Sequence, residues 1–186
     1  KAMWITWQPA PPPGMPVDPH GSVSPWMRKN FDLSAKPAQA FACVNVVGYV
    51  ELYVNGEKVG DDLLTPAASD YAARSFYVTY DIISYLQAGR NCIALWLGRG
   101  CYDPEATYKD RSRGPGPRAR VQCEMVVGDN QLSLLSDATW KAAASPYTTL
   151  GLYQWNAYHG EKYDANLENP EWNLASFDDG AWENAR

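Results

Sequence analysis

The 186-residue sequence has only two histidines, His20 and His159, and lacks the short motifs that mark common catalytic or cofactor sites. It contains no G-x-S-x-G, no H-E-x-x-H and no phosphate-binding loop, and Gly98-Arg99-Gly100 stops short of a three-glycine dinucleotide turn. With so few histidines, a catalytic triad that depends on an imidazole base is not expected. A loop position is the simplest explanation of His20. His159 could contact a ligand, although a lone histidine seldom marks a site.

Cysteine is scarce, and its spacing excludes some site classes. None of the four cysteines forms a C-x-x-C pair, which argues against a zinc or dithiol redox site. Cys123 alternates with apolar neighbours and is expected to be a buried free thiol. Pairing among the four stays open at this point. The four are Cys43, Cys92, Cys101 and Cys123.

Positive charge is also in short supply, because the formal net charge is −5. Basic residues cluster only in the segment 109–120, which glycine and proline interrupt, so a solvated loop is favoured there over an anion site. The charge argues against nucleic acid or an acidic membrane surface as a partner. No apolar run is long enough to cross a membrane, and Lys1 does not begin a secretory segment. Since Lys1 is not an initiator, we expect a processed or excised piece.

The strongest local signal in the chain is a β-hairpin. The segment Val50–Val54 alternates apolar residues with Glu51 and Tyr53, the period of a half-buried strand. Asn55-Gly56 follows at once and tolerates the positive φ angles of a two-residue turn. The chain then returns through residues 57–59.

Further segments have the composition of strands, and only Ile82–Leu86 suggests a single helical turn, closed by Gly89. About ten short strands without long amphipathic helices predict an all-β fold, an antiparallel β-sandwich of the jelly-roll, galactose-binding-like kind. Besides the hairpin, the predicted strands are 26–33, 40–47, 75–80, 92–97, 118–127, 131–135 and 152–159.

The chain is expected to divide into three parts. Residues 1–26 are an extended proline-rich arm, residues 27–165 the β-sandwich, and residues 166–186 a linker toward a downstream domain. The segment 137–143 is echoed by the segment 179–185 in its Asp, Trp and Ala spacing. This echo is too short for a repeat architecture and predicts two similar turns, each holding a tryptophan against a sheet edge.

Aromatic residues are abundant, with eight tryptophans and twelve tyrosines. Such rings suit a sandwich core, and they also stack on the C–H faces of sugars. Packing or turn chemistry remains the competing explanation for every candidate, and the turn already accounts for Asn55. The candidate stacking rings are Tyr102, Tyr108 and Trp155. The candidate polar partners for sugar hydroxyls are Asn55, Asp70 and Glu161.

Carboxylates were weighed as catalysts because paired acids hydrolyse glycosidic bonds. The candidates are Asp61-Asp62, Asp178-Asp179, Glu161 and Asp164. Adjacent acids on a loop point in different directions, and nothing in the sequence places two of them across one cleft. We therefore expect no catalytic residue within this chain, and no metal site among these residues.

A succession of motifs covers nearly the whole chain. The motifs, in chain order, are Trp4-Ile5, Arg28-Lys-Asn-Phe31, the hairpin 48–60, Leu64-Thr-Pro66, Asp70-Tyr71, residues 77–81, Leu86, Gly89-Arg-Asn91, residues 97–100, Tyr102, residues 160–165, Trp172, Phe177-Asp-Asp179 and Trp182. No single motif is specific, but their order is hard to obtain by chance, and the succession resembles the N-terminal accessory domain of bacterial α-L-rhamnosidases.

The resemblance implies a β-sandwich attached to a larger, periplasmic or exported enzyme that removes terminal L-rhamnose from glycans. Its catalytic carboxylates would lie in a downstream helical barrel, which is the partner of this domain within one polypeptide. The domain would assist recognition of a rhamnose-containing carbohydrate. Alternatively, it would only buttress the barrel. No cofactor is required, although calcium is a possible guest because some related modules bind rhamnose with calcium.

The sequence departs from the family pattern at three positions. Ala67-Ala68 stands where relatives often carry Gly-Trp, Cys101 where they often carry Trp, and Asn166 where they often carry Arg. Two aromatic rings are thereby lost, which favours the purely structural alternative or a remodelled site.

Overall fold

The computed structural model describes residues 1–8, 22–71, 73–100, 117–149 and 160–186. Within these ranges the chain forms β-strands and short 3-10 turns, at Ile83–Tyr85 and Ala165–Leu167, and no α-helix. The all-β prediction is confirmed. In chain order the strands are β1 (Ile5–Thr6), β2 (Ser22–Leu33), β3 (Gln39–Val47), β4 (Tyr49–Val54), β5 (Glu57–Lys58), β6 (Tyr77–Asp81), β7 (Gly89–Gly98), β8 (Arg118–Val127), β9 (Asn130–Leu135), β10 (Lys141–Thr149), β11 (Glu161–Tyr163) and β12 (Glu183–Asn184).

The strands form two antiparallel sheets. The five-stranded sheet has the order β1-β8-β3-β6, and β9 pairs with β8. The seven-stranded sheet has the order β11-β10-β2-β7-β4-β5, and β12 pairs with β10. The two sheets contribute their inner faces to one main hydrophobic core, which confirms the predicted antiparallel sandwich.

Alternation along the central strands supplies this core. Val44 and Val121 face inward from the five-stranded sheet, and Leu52 and Leu95 face inward from the seven-stranded sheet. All four side chains are at most 1% exposed. Burying a side chain of this size contributes about 1.5–3 kcal/mol, so a few such layers hold the sheets together.

The predicted hairpin is present. β4 and β5 are joined by Asn55 (φ 51°) and Gly56 (φ 92°), the positive angles that a two-residue turn requires. A Cβ atom on Gly56 would lie 2.5 Å from the side chain of Leu174, so the turn also packs closely against the C-terminal segment. The predicted helical turn is the 3-10 turn Ile83–Tyr85, which ends four residues before Gly89.

β10 is longer than the sequence indicated, since only a short segment starting at Trp140 was predicted there. Three successive alanines, residues 142–144, have weak strand propensity, and Pro146 cannot donate to a ladder. Pairing on both edges overrides this preference, because β2 lies on one side and β11 and β12 on the other. The pairing register shifts between Ala144 and Thr148, where Pro146 is accommodated. The predicted strand 152–159 and most of the loop 98–117 lie outside the described residues.

The two echoing segments meet in the structure. Trp140 donates its backbone N–H to the Asp137 carbonyl at 3.2 Å, and Trp182 makes the same bond to Asp179 at 3.0 Å. The strands that follow these turns, β10 and β12, pair with each other, and Ala185 is buried in the main core. The division of the chain at residue 166 stays a prediction.

Candidate functional site

The outer face of the seven-stranded sheet carries a row of aromatic rings in edge or face contact. Trp182 is stacked on Trp26 with centroids 6.4 Å apart, and Trp26 meets Trp96 edge to face at 5.7 Å. Trp96 meets Tyr147 at 5.6 Å, and Tyr147 meets Tyr163 at 5.0 Å. This aromatic row crosses β2, β7, β10 and β11, because each of these strands presents a ring on the same face.

The C-terminal segment, residues 172–182, covers one end of this row. Trp172 is stacked on Trp26 with centroids 4.8 Å apart and an interplanar angle of 6°. Together with Cys92 and Ala94, these two rings form a second, smaller hydrophobic core. The outer face of β7 is therefore buried at this end. Without the C-terminal segment, this face of the sheet would be exposed to water.

A fully buried arginine anchors the C-terminal segment. The Arg28 guanidinium donates to the carbonyl oxygens of Leu174 at 2.7 Å and of Phe177 at 3.1 Å, and it lies 3.3 Å from the Asp179 carboxylate. It also donates to the thiol of Cys92, where burial raises the pKa more strongly than the nearby guanidinium lowers it. The segment is thus fixed to the sheet by charge-assisted hydrogen bonds.

At its other end the aromatic row opens into a groove with a volume of about 400 Å³. This size lies within the range typical of small-molecule sites. Two rings of the row, Trp96 and Tyr147, line the groove together with three carboxylates, those of Glu51, Asp62 and Glu161. The remaining lining residues are Ser24, Tyr49, Val50, Leu64, Leu97 and Gly98.

The strand register explains why these groups meet. Trp96 on β7 is directly opposite Trp26 on β2 and directly opposite Glu51 on β4. Cross-strand partners stand side by side on one face, so the indole and the carboxylate are neighbours. Gly98 lies two residues after Trp96 on β7 and is paired with Tyr49 on β4. Because Gly98 has no side chain, it leaves open space in the groove beside Tyr49.

A hydrogen bond fixes the Trp96 ring, and ring contacts hold the Tyr147 ring. The indole N–H of Trp96 donates to the hydroxyl oxygen of Ser145 at 3.1 Å. The same oxygen accepts the backbone N–H of Tyr147 at 3.2 Å. Since both rings also touch aromatic neighbours, their orientation is set before any ligand arrives.

The carboxylate beside Trp96 is held ionised. Burial would raise the pKa of Glu51, but hydrogen bonds from Lys58 (2.5 Å) and the Tyr53 hydroxyl (2.7 Å) outweigh it, so the pKa falls below the ordinary 4.5. Burial and the bond to Glu51 raise the pKa of Tyr53 in turn. Asp62 and Glu161 are exposed. The groove therefore combines ring edges and faces with hydrogen-bond acceptors, a combination that suits a polyhydroxylated ligand.

Of the six residues predicted from the sequence, Glu161 lines the groove. Asp70 is exposed on the segment between β5 and β6 and does not line it. Asn55 also lies elsewhere, and its amide bonds the Tyr85 carbonyl, the Asn91 side chain and the Cys92 N–H, all within the fold. The other three, Tyr102, Tyr108 and Trp155, lie outside the described residues. The six assignments remain predictions.

Three lining residues, Glu51, Trp96 and Tyr147, were not singled out from the sequence. Trp96 lies in a run that is apolar at every position because the C-terminal segment covers its outer face, so no alternation revealed which residues face outward. Glu51 was recognised as outward-facing, but its neighbour across the ladder depends on the pairing of β4 with β7. Neither segment by itself predicts that pairing.

Metal chemistry finds no support in the described part of the chain, where no group of three His, Cys, Asp or Glu side chains could hold an ion. The calcium that the resemblance implied therefore has no cluster of three such side chains among these residues. A search of the same residues for helices able to span a bilayer found none.

Comparisons with known proteins place the chain in a family. Residues 35–186 match the family described as the α-L-rhamnosidase N-terminal domain. A curated α-L-rhamnosidase from Formosa agariphila is 34% identical over 90% of this chain, which corresponds to 18% of that protein. The chain thus spans about a fifth of the length of the curated relatives it matches.

Solved structures agree. An α-L-rhamnosidase from Dictyoglumus thermophilum superposes with a TM-score of 0.82 at 35% identity, over 99% of this chain and 20% of that one. The Streptomyces avermitilis α-L-rhamnosidase, solved with L-rhamnose, gives a TM-score of 0.76 at 29% identity, over 90% of this chain and 16% of that one. The expected family is confirmed: the chain belongs to the α-L-rhamnosidase N-terminal domain family.

Proposed function

We propose that the chain is a non-catalytic accessory module of an α-L-rhamnosidase-like glycoside hydrolase, and that its groove assists recognition of a rhamnose-containing carbohydrate. The observation that carries the proposal is the pair of fixed rings, Trp96 and Tyr147, beside the ionised Glu51 in a groove of about 400 Å³. Aromatic rings can stack on the apolar face of a pyranose, and carboxylate oxygens can accept hydrogen bonds from its hydroxyl groups.

The carboxylates of the groove support binding rather than bond cleavage. A glycosidase needs one carboxyl group with a raised pKa, which stays protonated and donates to the leaving oxygen. The pKa of Glu51 is lowered instead, and both of its oxygens already accept hydrogen bonds. The relatives are about five times longer than this chain. We therefore assign hydrolysis to a further region of the same polypeptide, which would be the partner of this domain.

A purely structural role is the second candidate. The observation that favours it is that Trp172 and Trp182 both stack on Trp26, so two of the five rings of the aromatic row serve to attach the C-terminal segment. In that case the domain buttresses the catalytic region and its groove stays without a ligand.

Calorimetric titration distinguishes the two candidates. The 186-residue chain is titrated with L-rhamnose, methyl α-L-rhamnoside and rhamnose oligosaccharides, with and without calcium. The expected result is saturable binding that Tyr147→Ala weakens about three- to tenfold, the loss of one stacking contact. Tyr147→Phe keeps the ring and is expected to bind within about twofold of the parent chain, because stacking does not need the hydroxyl.

The matched control is Tyr77→Ala, which removes a tyrosine that is 66% exposed on β6 of the other sheet. Its binding should equal that of the parent chain. Flat heats for every sugar, or equal losses in Tyr147→Ala and Tyr77→Ala, would leave only the structural role. Turnover of an aryl rhamnoside by the chain alone would contradict the non-catalytic assignment.

A further inference from the structure

We propose that the groove accepts a neutral glycan unit and rejects sugars that carry a carboxylate or sulfate group. This inference rests on the proposed function, since it names the class of carbohydrate that the same groove would take. It follows from the charges that line the groove and from the partners that the nearby cations already have.

Every charged side chain among the described residues that line the groove is acidic. These are Glu51 on β4, Asp62 on the segment after β5, and Glu161 on β11, so the carboxylates come from three separate elements. No lysine, arginine or histidine of the described ranges contributes to this lining. An anionic sugar would therefore bring its charge toward three carboxylates, of which Glu51 is already paired with Lys58, so the repulsion comes chiefly from Asp62 and Glu161.

Three cations of the seven-stranded sheet lie outside the groove lining. Lys58 is bonded to Glu51 at 2.5 Å, and Arg28 is fully buried beneath the C-terminal segment against Asp179. Lys162 follows Glu161 on β11, and successive residues of a strand point to opposite faces. None of these three side chains lines the groove.

The retained charge of Glu51 adds to this argument, since its lowered pKa keeps the carboxylate ionised throughout the neutral range. Neutral sugars meet no such penalty. Their hydroxyls donate hydrogen bonds, and carboxylates accept them more strongly than neutral acceptors do. The same three groups that repel an anion thus attract a hydroxylated, uncharged ring.

The discrimination should depend on salt. Charges at a solvent-exposed groove act over the Debye length, which is about 30 Å at 0.01 M ionic strength and about 3 Å at 1 M. Electrostatic rejection is therefore strong in dilute buffer and weak in concentrated salt. Rejection by shape would show no such dependence.

The test uses two disaccharides of nearly equal shape, rhamnose linked to glucose and rhamnose linked to glucuronate. They differ only in a hydroxymethyl group that becomes a carboxylate. At about 0.01 M ionic strength the glucose compound is expected to bind the 186-residue chain at least about tenfold more tightly, and at about 1 M the ratio should fall to about two. Calorimetry or tryptophan fluorescence, with Trp96 in the groove, reports the binding.

A charge-removing variant isolates the cause. Asp62→Asn combined with Glu161→Gln is expected to raise affinity for the glucuronate compound about fivefold at low salt and to lower affinity for the glucose compound about twofold, because amide oxygens accept hydroxyl hydrogen bonds less strongly than carboxylates do. Asp129→Asn is the control, because this residue is exposed at the turn between β8 and β9 of the other sheet. It should leave both affinities unchanged.

The outcomes separate the inference from the proposed function. Equal binding of the two disaccharides, tighter binding of the glucuronate compound, or a ratio that does not change with salt would overturn the charge selectivity and leave sugar binding intact. Failure of both disaccharides to bind would overturn both. The expected pattern of a salt-dependent ratio that the double variant abolishes would support both.

Discussion

The two faces of the seven-stranded sheet are built on different principles. The inner face is covered by the five-stranded sheet and contains only apolar contacts at its centre, such as those of Leu52 and Leu95. The outer face is divided, because the C-terminal segment covers one end of the aromatic row and the other end opens into the groove. The main apolar core thus lies on one face, and the groove lies on the other.

The outer face also shows how a sheet can keep a site open. Stacked rings alone would leave a large apolar patch, which soluble proteins rarely expose. The C-terminal segment covers that patch with Trp172 and is held by Arg28, while Glu51 and Glu161 give the uncovered end a polar rim. The covered end therefore braces the rings that the open end presents.

The largest expected change in stability comes from substituting the tryptophans of the two echoing turns. Trp140 is 0% exposed in the main core, and Trp182 is only half-buried in the outer aromatic row. We expect Trp140→Ala to lower the free energy of unfolding by about 3–5 kcal/mol, since it leaves a cavity in the main core. Trp182→Ala should cost about 1–2 kcal/mol, because water can fill part of the space. Urea unfolding of both variants measures the difference, and equal losses would contradict the separation of the two faces.

The next effect tests the attachment of the C-terminal segment. Arg28→Met leaves the carbonyls of Leu174 and Phe177 and the Asp179 carboxylate without their donor, and we expect a loss of about 3 kcal/mol. Hydrogen exchange should accelerate first in residues 172–182. Lys29→Met is the matched control on β2, because the Lys29 ammonium donates to Thr139 at the protein surface, and its effect should stay within about 0.5 kcal/mol. Uniform acceleration over the whole chain would show that the segment does not open by itself.

The smallest effect concerns the charge beside Trp96. The folded state lowers the pKa of Glu51 below 4.5, so its interactions stabilise the fold above that pH and are lost as the pH falls through the lower, folded-state pKa. Because the Glu51 side chain is 39% exposed, we expect Glu51→Gln to cost only about 0.5 kcal/mol at pH 7. The difference should shrink as the pH falls through the lowered, folded-state pKa of Glu51.

A double-mutant cycle with Lys58→Met isolates this interaction. The coupling between Glu51 and Lys58 should be about 0.5 kcal/mol at pH 7 and near zero once Glu51 is protonated. Unfolding curves from pH 7 to pH 3 provide the measurement. A coupling that persists at low pH would mean that the two side chains interact through packing rather than charge.

Most of the scaffold could be predicted because its strands and turns have recognisable local sequence patterns. The alternation of β4, the Asn55-Gly56 turn and the β-branched composition of β6 each follow from contacts within a few residues. β10 was underestimated because its alanines carry little intrinsic preference, and only the neighbouring strands make it a strand. The site was harder, since only Glu161 lines the groove among the three predicted site residues that the structure describes.

By itself, the sequence determined the all-β class, the hairpin, the two Asp-x-x-Trp turns and the family. These depend on periodicity, turn chemistry and motif order, which are properties of neighbouring residues. Only the tertiary structure decided that Trp140 is buried in the main core while Trp182 joins the outer row, and that Trp96 stands beside Glu51. Strand register and the course of the C-terminal segment set those neighbours, and both result from long-range pairing that no local pattern encodes.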